Sequence, residues 1–400
     1  METAVVVVGI GADGWTGLDA SRRAAVESAD VVLGGERHLA MLPDNLAAER
    51  RAWPSPLRPG IPALLDELAG RRVVALASGD PLMSGIGSTL VELLGADAVE
   101  ILPGVSSVVV ARAWLGWAAE TAEVVRDHRT LPRHLAPGRR VLVLSADGST
   151  PAAVAGLLTE AGYGDSTMTV LADLGSDDES RVDGVASAWG DDSSPALNIV
   201  AVTCAGGPSF GWTAGLPDDA FDHDGQITKR DLRASALARL APAPGQLLWD
   251  VGAGAGSIAV EWMRTHPSCR AFAVEMDAER VKRIEGNAAR LGVPGLVVVE
   301  GHAPEALAGL EAPDAIFVGG GATEPGLLDA CWAALRFGGR LVVHGVTLET
   351  ERLIAERYAA HGGELTRLHV EHAAPIGSFT GWTPARAITQ WSVAKSTVGA

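Results

Sequence analysis

The sequence predicts two α/β domains joined by a segment rich in glycine and proline. Short β-branched runs alternate with amphipathic helical stretches along most of the 400 residues, which is typical of βαβ units. In residues 205–219, AGGPSFGWTAGLPDD, six of fifteen residues are Gly or Pro and the alternation stops. We therefore place the first domain at 1–207, a linker at 208–222 and the second domain at 223–400.

Composition and charge exclude several classes of protein. Apolar residues make up 47% and charged residues 20%, which is globular composition. The net charge is −17, of which −14 falls in residues 1–220, so neither half shows the basic surface of a nucleic-acid binder. No apolar run approaches the length of a membrane span. Three widely separated cysteines form neither a disulfide framework nor a CxxC pair, so we expect a cytoplasmic protein without a metal site.

The second domain has the more regular pattern. Five β-branched runs alternate with helical stretches, which predicts five parallel strands with right-handed crossovers. The strands are expected at 247–251, 271–275, 296–300, 315–318 and 340–346. The helices are expected near 256–265, 278–291, 303–309, 325–336 and 348–360. Two more strands, 364–372 and 385–393, have no helix between them, so we expect a terminal antiparallel hairpin and seven strands in all.

The first domain also alternates, but less regularly. Its early strands are separated by helices and its later strands lie closer together, which predicts a parallel lobe followed by a mixed one. The strands are expected at 4–11, 30–35, 72–80, 98–104, 140–147, 166–175 and 196–202.

A glycine-rich turn in the second domain indicates a nucleotide-type ligand. Gly252-Ala253-Gly254-Ala255-Gly256 joins the strand LLWDV to a helix, and Glu275 ends the next strand. Glycines there let a ligand lie against bare backbone, and a carboxylate at that position can accept hydrogen bonds from ribose hydroxyls. A dinucleotide fingerprint would need glycine where Ser257 stands. The compact form after Asp250 favours S-adenosylmethionine, with a two-domain nicotinamide-dependent oxidoreductase as the alternative.

Several segments of the second domain together resemble the decarboxylating methyltransferases of corrin biosynthesis. These are DGQITKRDLRASAL (224–237), WDVGAGAGSIAVEW (249–262), AVEMDAERVKRIEGNAARLGV (273–293), GHAPEAL (301–307), PDAIFVGGG (313–321) and GVTLET (345–350). The resemblance implies a Rossmann-like (class I) methyltransferase fold that methylates C15 and decarboxylates the ring C acetate. The implied S-adenosylmethionine contacts are Thr228, Gly252, Ala253, Gly254, Ala255, Gly256, Glu275 and Ala303. His302 stands where the family commonly has Asp.

The first domain resembles the tetrapyrrole methylases, in particular their C5-methylating members. The segments concerned are GERHLAML (35–42), SGDPLMSGIG (78–87) and PGVSS (103–107). The resemblance implies a two-lobed (class III) fold with S-adenosylmethionine in the cleft between the lobes. The implied cofactor contacts are Gly79, Asp80, Pro81, Met83, Gly85, Ile86, Ser106 and Ser107, and the implied substrate contacts are Gly9, Gly11, Asp13 and Gly14. GIGADG departs from the family's Gly-x-Gly-Pro-Gly, and VVRDHRT (124–130) stands where members often have His-Gly-Arg.

Together the two resemblances imply a bifunctional enzyme of cobalamin biosynthesis with one S-adenosylmethionine site per domain. The expected reaction is methylation of precorrin-6B at C5 and C15 with decarboxylation of the ring C (C12) acetate, giving precorrin-8X. Whether the ring carries cobalt stays open at this point, as do the catalytic residues. We expect a tetrapyrrole as the binding partner, neither nucleic acid nor membrane, and a homo-oligomer.

Binding a polycarboxylate to an acidic protein requires local positive charge. Lys229 and Arg233 lie beside the expected cofactor site, and we propose them as partners for substrate carboxylates, because guanidinium binds carboxylate in a bidentate manner. In the first domain, the loops GGERHL and RDHRTLPRH are the candidates.

Overall fold

The computed structural model describes residues 5–190 and 193–396, and it divides into two compact units. The first unit comprises Met1–His128 and Ala136–Gly207, and the second comprises Arg129–Leu135 and Pro208–Ala400. Residue 4, where the first predicted strand begins, lies outside the described residues. Both units are α/β, as the alternation of strand and helix predicted.

The first lobe of unit 1 is a parallel five-stranded sheet. Its strands are β1 (Val5–Ile10), β2 (Val31–Gly34), β3 (Glu49–Ala52), β4 (Val73–Ser78) and β5 (Val99–Leu102), in the order β3-β2-β4-β1-β5. Its helices are α1 (Ala20–Glu27), α2 (Glu36–Ala40), α3 (Leu57–Glu67) and α4 (Ile86–Leu94). The central strands are buried on both faces, which explains their continuous apolar runs.

The second lobe is a mixed sheet. Helix α5 (Ser107–Leu115) leads into it, and α6 (Thr150–Glu160) lies between two of its strands. The strands are β6 (Ala122–Val125), β7 (Arg140–Leu144), β8 (Thr167–Ala172), β9 (Ser180–Val185) and β10 (Asn198–Thr203), in the order β6-β7-β10-β8-β9. Only β6 and β7 are parallel, so the predicted succession of a parallel and a mixed lobe is confirmed.

Unit 2 is a seven-stranded sheet with helices and one separate hairpin. Its helices are α7 (Arg230–Leu240), α8 (Ser257–Thr265), α9 (Ala278–Arg290), α10 (Leu327–Ala334) and α11 (Leu348–His361). Its strands are β11 (Leu247–Val251), β12 (Arg270–Glu275), β13 (Val297–Glu300), β14 (Ala315–Val318), β15 (Arg340–Gly345), β16 (Glu364–Leu368), β17 (Glu371–Ile376), β18 (Phe379–Pro384) and β19 (Ile388–Ala394). The main sheet has the order β13-β12-β11-β14-β15-β19-β16, and β17 pairs only with β18.

The terminal region differs from the expected simple hairpin. Strands β16 and β19 are antiparallel neighbours, but the chain between them forms the additional hairpin β17–β18. The helix expected at 303–309 is a single 3₁₀ turn, Glu305–Leu307. The segment expected as a linker, 208–222, is packed, since Leu216 and Phe221 are buried in the core of unit 2.

Three strands that the pattern did not predict in unit 1 are sheet edges. Strands β3, β6 and β9 each occupy an outer position of their sheet. Strand β3 reads ERRA and β9 reads SRVDGV, and both are largely exposed. A strand that contacts one neighbour and solvent needs no apolar face, so hydrophobic patterning does not reveal it.

Candidate active sites

Unit 2 has a cavity of about 1070 Å³ at the carboxyl ends of its central strands. In open α/β sheets this edge is the usual ligand site, and the volume is at the upper end of small-molecule pockets. Eight residues that the sequence analysis singled out line this cavity: Thr228, Lys229, Gly252, Ala253, Gly254, Glu275, His302 and Ala303.

The glycine turn after β11 has left-handed backbone at three positions. Gly252, Gly254 and Gly256 have φ of +68°, +59° and +71°. A Cβ at Gly254 would lie 2.6 Å from the carbonyl oxygen of Gln226. A Cβ at Gly256 would lie 2.7 Å from Cγ2 of Ile284, so this glycine allows helix α9 to pack closely and does not line the cavity. Ala255 is also buried outside it.

The Glu275 carboxylate is anchored by the backbone around it. Its Oε2 accepts a hydrogen bond from Gly254 N–H at 2.8 Å, and its Oε1 accepts from Met276 N–H at 3.0 Å and Asp277 N–H at 3.1 Å. Arg280 Nη1 lies 3.9 Å from Oε1. The side chain is only 5% exposed, yet it lines the cavity, and Oε2 retains a lone pair for a ligand hydroxyl.

Asp250 lies below the glycine turn, is buried, and does not line the cavity. Its Oδ2 accepts from Ala259 N–H at 3.0 Å, while its buried Oδ1 has no partner among the described residues. Burial raises the pKa of Asp250 to about 7, and the nearby Glu275 acts in the same direction. The carboxyl therefore connects the end of β11 to the first turn of α8.

Arg233 is not placed for the substrate role that we expected. Its side chain is fully buried and outside the cavity lining. The guanidinium pairs with Glu261 at 2.5 Å and Asp218 at 3.2 Å, and it also donates to the carbonyl oxygens of Thr228 and Leu216. With these four partners, Arg233 ties the segment before α7 to α8. The sequence could not distinguish an internal arginine from a binding arginine in TKRDLR.

Five Arg or His side chains of the cavity wall were not predicted from the sequence, and one of them is Arg280 on α9, near Glu275. Arg230 lies beside Lys229 at the start of α7, His344 is the next-to-last residue of β15, and His372 and Arg386 come from the region of the β17–β18 hairpin. No hydrogen bond or ion pair joins the Arg386 guanidinium to another described residue. A histidine within the apolar run RLVVHGV was the one sequence signal available for His344.

His302 lies in the cavity wall with two carboxylates near it. Its Nδ1 is 3.4 Å from Glu305, and its Nε2 is 3.8 Å from Glu324. The side chain is 48% exposed. Where the resemblance implies an acid, this chain thus has a histidine flanked by acids from two different segments.

Unit 1 has a cavity of about 450 Å³, lined by residues of both of its lobes. Six of the twelve expected contacts line it: Gly11, Gly79, Asp80, Met83, Ser106 and Ser107. Ser106 also caps helix α5, accepting a hydrogen bond from Val109 N–H, and Asp80 forms a tight turn by accepting from Leu82 N–H at 2.9 Å. The second lobe contributes Asn198 and Ser145 to the opposite wall.

The other six expected contacts do not line this cavity: Gly9, Asp13, Gly14, Pro81, Gly85 and Ile86. Gly9 has a packing role, because a Cβ there would lie 2.0 Å from Gly79 O. Gly85 likewise allows close approach to Pro81, whose carbonyl oxygen would be 2.6 Å from a Cβ. Gly9, Gly85 and Pro81 therefore shape the loops next to the cavity by close packing and not by lining it.

A small polar cluster brings positive charge to the unit 1 cavity. Arg37 donates to Ser78 Oγ at 2.8 Å and lies 2.9 Å from His38 Nε2, which is 3.0 Å from the same hydroxyl. Burial, and secondarily the neighbouring guanidinium, lower the pKa of His38 to about 4. The neutral ring therefore accepts a hydrogen bond from Arg37, which lines the cavity.

Comparison with known protein families shows that each of the two cavities lies in a region of the chain that matches a family model. Residues 4–188 match the family model described as tetrapyrrole (corrin/porphyrin) methylases, and residues 219–395 match that of the precorrin methyltransferase domain. The fold and the cavities thus define a two-domain methyltransferase of tetrapyrrole chemistry.

Individual relatives give a more specific assignment. A precorrin-6Y C(5,15)-methyltransferase [decarboxylating] of Mycobacterium tuberculosis is 48% identical over 399 residues, which cover 98% of this chain and 100% of the relative. A probable cobalt-precorrin-6B C(15)-methyltransferase (decarboxylating) of Pyrobaculum calidifontis is 35% identical over 42% of this chain and 89% of its own length. A crystal structure of the C-terminal domain of the Rhodobacter capsulatus precorrin-6Y enzyme covers 46% of this chain and 98% of its own, with 44% identity and a TM-score of 0.44. The chain belongs to the family of decarboxylating precorrin-6Y C(5,15)-methyltransferases.

This membership excludes the nicotinamide-dependent oxidoreductase that the glycine turn alone left open. Among the described residues, no helix has the length and apolarity required to cross a membrane.

Proposed function

We propose that unit 1 methylates C5 of a precorrin-6Y-type ring, and that unit 2 methylates C15 and decarboxylates the ring C acetate, in cobalamin biosynthesis. The observation that carries the assignment of unit 2 is a single chamber in which the Gly252–Gly254 turn and Glu275 share a wall with Lys229, Arg230 and Arg386. The cavity wall also carries carboxylates, and Lys229 Nζ lies 3.6 Å from Asp218, so Arg230 and Arg386 are the stronger candidates for binding a methyl acceptor with several carboxylates. The homology of the unit 2 region to shorter C(15)-methyltransferases supports this division of labour.

The residues of unit 2 fit S-adenosylmethionine. Glu275 would accept hydrogen bonds from the ribose hydroxyls, because its carboxylate is anchored at the floor of the cavity with a lone pair to spare. The bare backbone of Gly252 and Gly254 would lie along the amino-acid part, and His302 and Ala303 would border the adenine. His302 takes the place of the family's acid there, with its ring flanked by Glu305 and Glu324.

The residues of unit 1 also fit a second S-adenosylmethionine. Gly79, Asp80 and Met83 border the cavity from the first lobe, and Ser106 and Ser107 border it at the start of α5. Gly79 has a φ of +51° and no space for a Cβ. Its bare backbone therefore allows two loops to approach each other beside the proposed ligand. Arg37 would bind a substrate carboxylate from the first lobe, and exposed Arg126 would do so from the second.

Bound S-adenosylmethionine supplies an electrophilic methyl group, so the protein's work is alignment and exclusion of water. In unit 2, Arg386 and Lys229 orient the ring by its carboxylates, and the guanidinium allows bidentate contact. The apolar residues Val251, Val274 and Leu327 form part of the chamber and keep water from the reacting atoms. The conjugated ring itself is the nucleophile for methylation and the electron sink for decarboxylation.

Product masses from two variants of the full chain test the proposal. Glu275→Ala is expected to stop C15 methylation and leave C5 methylation, and Asp80→Ala is expected to do the reverse. Glu300→Ala is the matched control for the first variant, because Glu300 lies beside Glu275 in the sheet, at the end of β13, and is exposed. Asp66→Ala, at an exposed position on helix α3, is the control for the second. Loss of both methylations from either variant alone would contradict independent sites.

S-adenosylhomocysteine binding provides a second readout that does not depend on turnover. Calorimetry of the wild-type chain is expected to show two sites, with one removed in each variant. A single site in the wild type would contradict one cofactor per domain. The homo-oligomer stays a prediction, which a measurement of molecular size in solution tests. Whether the substrate carries cobalt stays open, and metal analysis of the product decides it.

A further inference from the structure

A buried polar pair adjoins the unit 2 cavity, and one member of the pair, His344, lies in the cavity wall. His344 on β15 and Gln390 on β19 are directly opposite each other in the antiparallel ladder, and His344 Nε2 is 2.9 Å from Gln390 Oε1. His344 is 6% exposed and Gln390 is fully buried. The Nε2 amide nitrogen of Gln390 has no partner among the described residues. Burying polar groups with an unpaired amide in an apolar sheet lowers the stability of the fold, and a functional role would explain why the pair is present.

The contacts of His344 fix the state and orientation of its ring. Gln390 Oε1 is an acceptor, so Nε2 of the ring carries the hydrogen and Nδ1 has a free lone pair. Phe317 packs against the ring edge-on, with the ring centroids 4.9 Å apart. Nδ1 has no hydrogen-bond partner among the described residues, and the ring forms part of the cavity wall. A single acceptor atom is thus presented to the cavity by a rigid support.

The position of His344 in the sheet places it on the substrate side of the chamber. It is the next-to-last residue of β15, which is separated from β11 by β14, whereas Glu275 ends β12 on the other side of β11. With neighbouring strands about 4.8 Å apart, β15 lies about 14 Å from β12. Glu275 and His344 therefore lie at opposite ends of the cavity, which leaves room between them for a ring bound beside the cofactor.

Of the two reactions proposed for unit 2, methylation releases a proton and decarboxylation consumes one. In methylation, a bond forms from the ring carbon to the methyl group, the carbon–sulfur bond breaks with its electron pair left on sulfur, and the ring releases a proton to return to its former charge. In decarboxylation, the bond from the acetate CH₂ to the carboxylate breaks, CO₂ leaves, and the electron pair passes into the ring. The CH₂ carbon then takes up one proton to become a methyl group. One proton is released and one is consumed.

Resting on the function proposed above, we propose that His344 is the proton carrier of unit 2, accepting the proton released by ring methylation at Nδ1 and supplying the one that decarboxylation consumes. Gln390 is its positioning residue, holding Nε2–H so that Nδ1 faces the ring. Burial lowers the pKa of His344 to about 4, so the resting imidazole is neutral and Nδ1 is free to accept a proton. The resting ring is neutral and accepts, and the imidazolium it becomes is a strong donor.

The other histidines of the cavity are less suited to this role. His302 is 48% exposed and lies at the opposite end, near Ala303, and His372 is exposed. Protons on exposed groups exchange with water, so neither group would retain the released proton for the second step.

The test uses the full chain with the precorrin substrate and S-adenosylmethionine, and it reads the product by mass. His344→Gln is expected to reduce decarboxylation about 100-fold, so that C15-methylated product that retains the acetate carboxyl accumulates. C5 methylation by unit 1 is the internal reference, and exposed His266→Asn is the matched control. Decarboxylation at the wild-type rate in His344→Gln would overturn the inference.

Two further measurements separate a chemical role from a structural one. In His344→Ala, added imidazole is expected to restore decarboxylation, and failure of rescue while S-adenosylhomocysteine still binds normally would overturn the proposal. Gln390→Leu is expected to slow decarboxylation with S-adenosylhomocysteine affinity unchanged. If Glu275→Ala leaves C15 methylation intact, the proposed function fails. If Glu275→Ala behaves as expected and the His344 variants decarboxylate normally, only the proton carrier is wrong.

Discussion

Gly254 donates its backbone N–H to Glu275 Oε2 over 2.8 Å, so the glycine turn and the acid of the next strand form a single hydrogen-bonded unit. This hydrogen bond fixes the position of Glu275, which we propose binds the ribose. It also fixes the glycine turn on which the cofactor would lie. The same glycine has φ of +59° and faces the carbonyl of Gln226, so it meets a conformational and a steric requirement at once.

Gly254→Ala is expected to remove S-adenosylhomocysteine binding from unit 2. The new Cβ would lie 2.6 Å from Gln226 O, and left-handed backbone costs a non-glycine residue about 1–2 kcal/mol. Calorimetry of the full chain should lose one of two sites. Gly286→Ala is the matched control, because nothing lies within 4 Å of a Cβ at that helical position. Two sites of normal affinity in Gly254→Ala would contradict the prediction.

Arg233→Ala is expected to destabilise unit 2 and not to change substrate affinity selectively. Removing this guanidinium leaves buried Glu261 without its charged partner, which typically costs about 3–5 kcal/mol. Thermal unfolding should show the loss. The control is Arg239→Ala on the same helix, where the partly exposed pair with Glu364 contributes little. A normal melting temperature with a raised KM for the tetrapyrrole alone would restore the substrate role.

Arg386→Ala is expected to raise the KM for the tetrapyrrole in the unit 2 reactions about tenfold, with kcat nearly unchanged. A charge-assisted hydrogen bond contributes about 1.5–3 kcal/mol, and Arg386→Lys should lose part of this because it cannot bind in a bidentate manner. Steady-state kinetics at fixed S-adenosylmethionine measures it. Arg352→Ala, 80% exposed on α11, should behave as wild type. A changed KM for S-adenosylmethionine instead would place Arg386 at the cofactor.

Asp250→Asn is expected to change how stability depends on pH. Because burial raises the pKa of Asp250 from 3.8 to about 7, the folded state keeps a proton that the unfolded state releases in this window. Wild-type stability therefore falls as pH rises from about 4 to 7 and levels off above it. The advantage of Asp250→Asn over wild type should grow by about 3 kcal/mol from pH 5 to 8. If the stabilities of wild type and Asp250→Asn changed with pH in parallel from pH 5 to 8, Asp250 would not titrate in that range.

The sequence was a good guide to the buried strands and to the glycine turns. Strands such as β11 and β14 lie in the sheet interior, so their apolar runs are continuous and short, and the turn after β11 needs glycine wherever φ is positive. It was a poor guide to β3, β6 and β9, because edge strands need no apolar face. The hairpin β17–β18 escaped prediction because it lies outside the main sheet and is largely exposed.

The site residues also fall into two groups, those that local motifs predict and those that depend on distant parts of the chain. Residues whose role depends on local backbone, such as Gly252 and Ser106, follow from their motifs, since turn geometry is written in neighbouring residues. Arg233 and Arg386 do not, because whether a guanidinium is buried or faces a cavity depends on elements far away in the chain. Arg233 meets Glu261 from the following helix, and Arg386 reaches the cavity only through the placement of the hairpin region.

By itself, the sequence determined two α/β domains, two cofactor-type turns and the family that they resemble. The domains and turns follow from short-range patterns of apolar period and glycine placement, and the family resemblance rests on the motifs quoted above. Only the tertiary structure decided which charged side chains face a cavity, that Gly9 and Gly85 serve packing, and that His344 stands opposite Gln390. The physical reason is that burial and pairing arise between residues distant in sequence, such as 344 and 390, which strand order brings together.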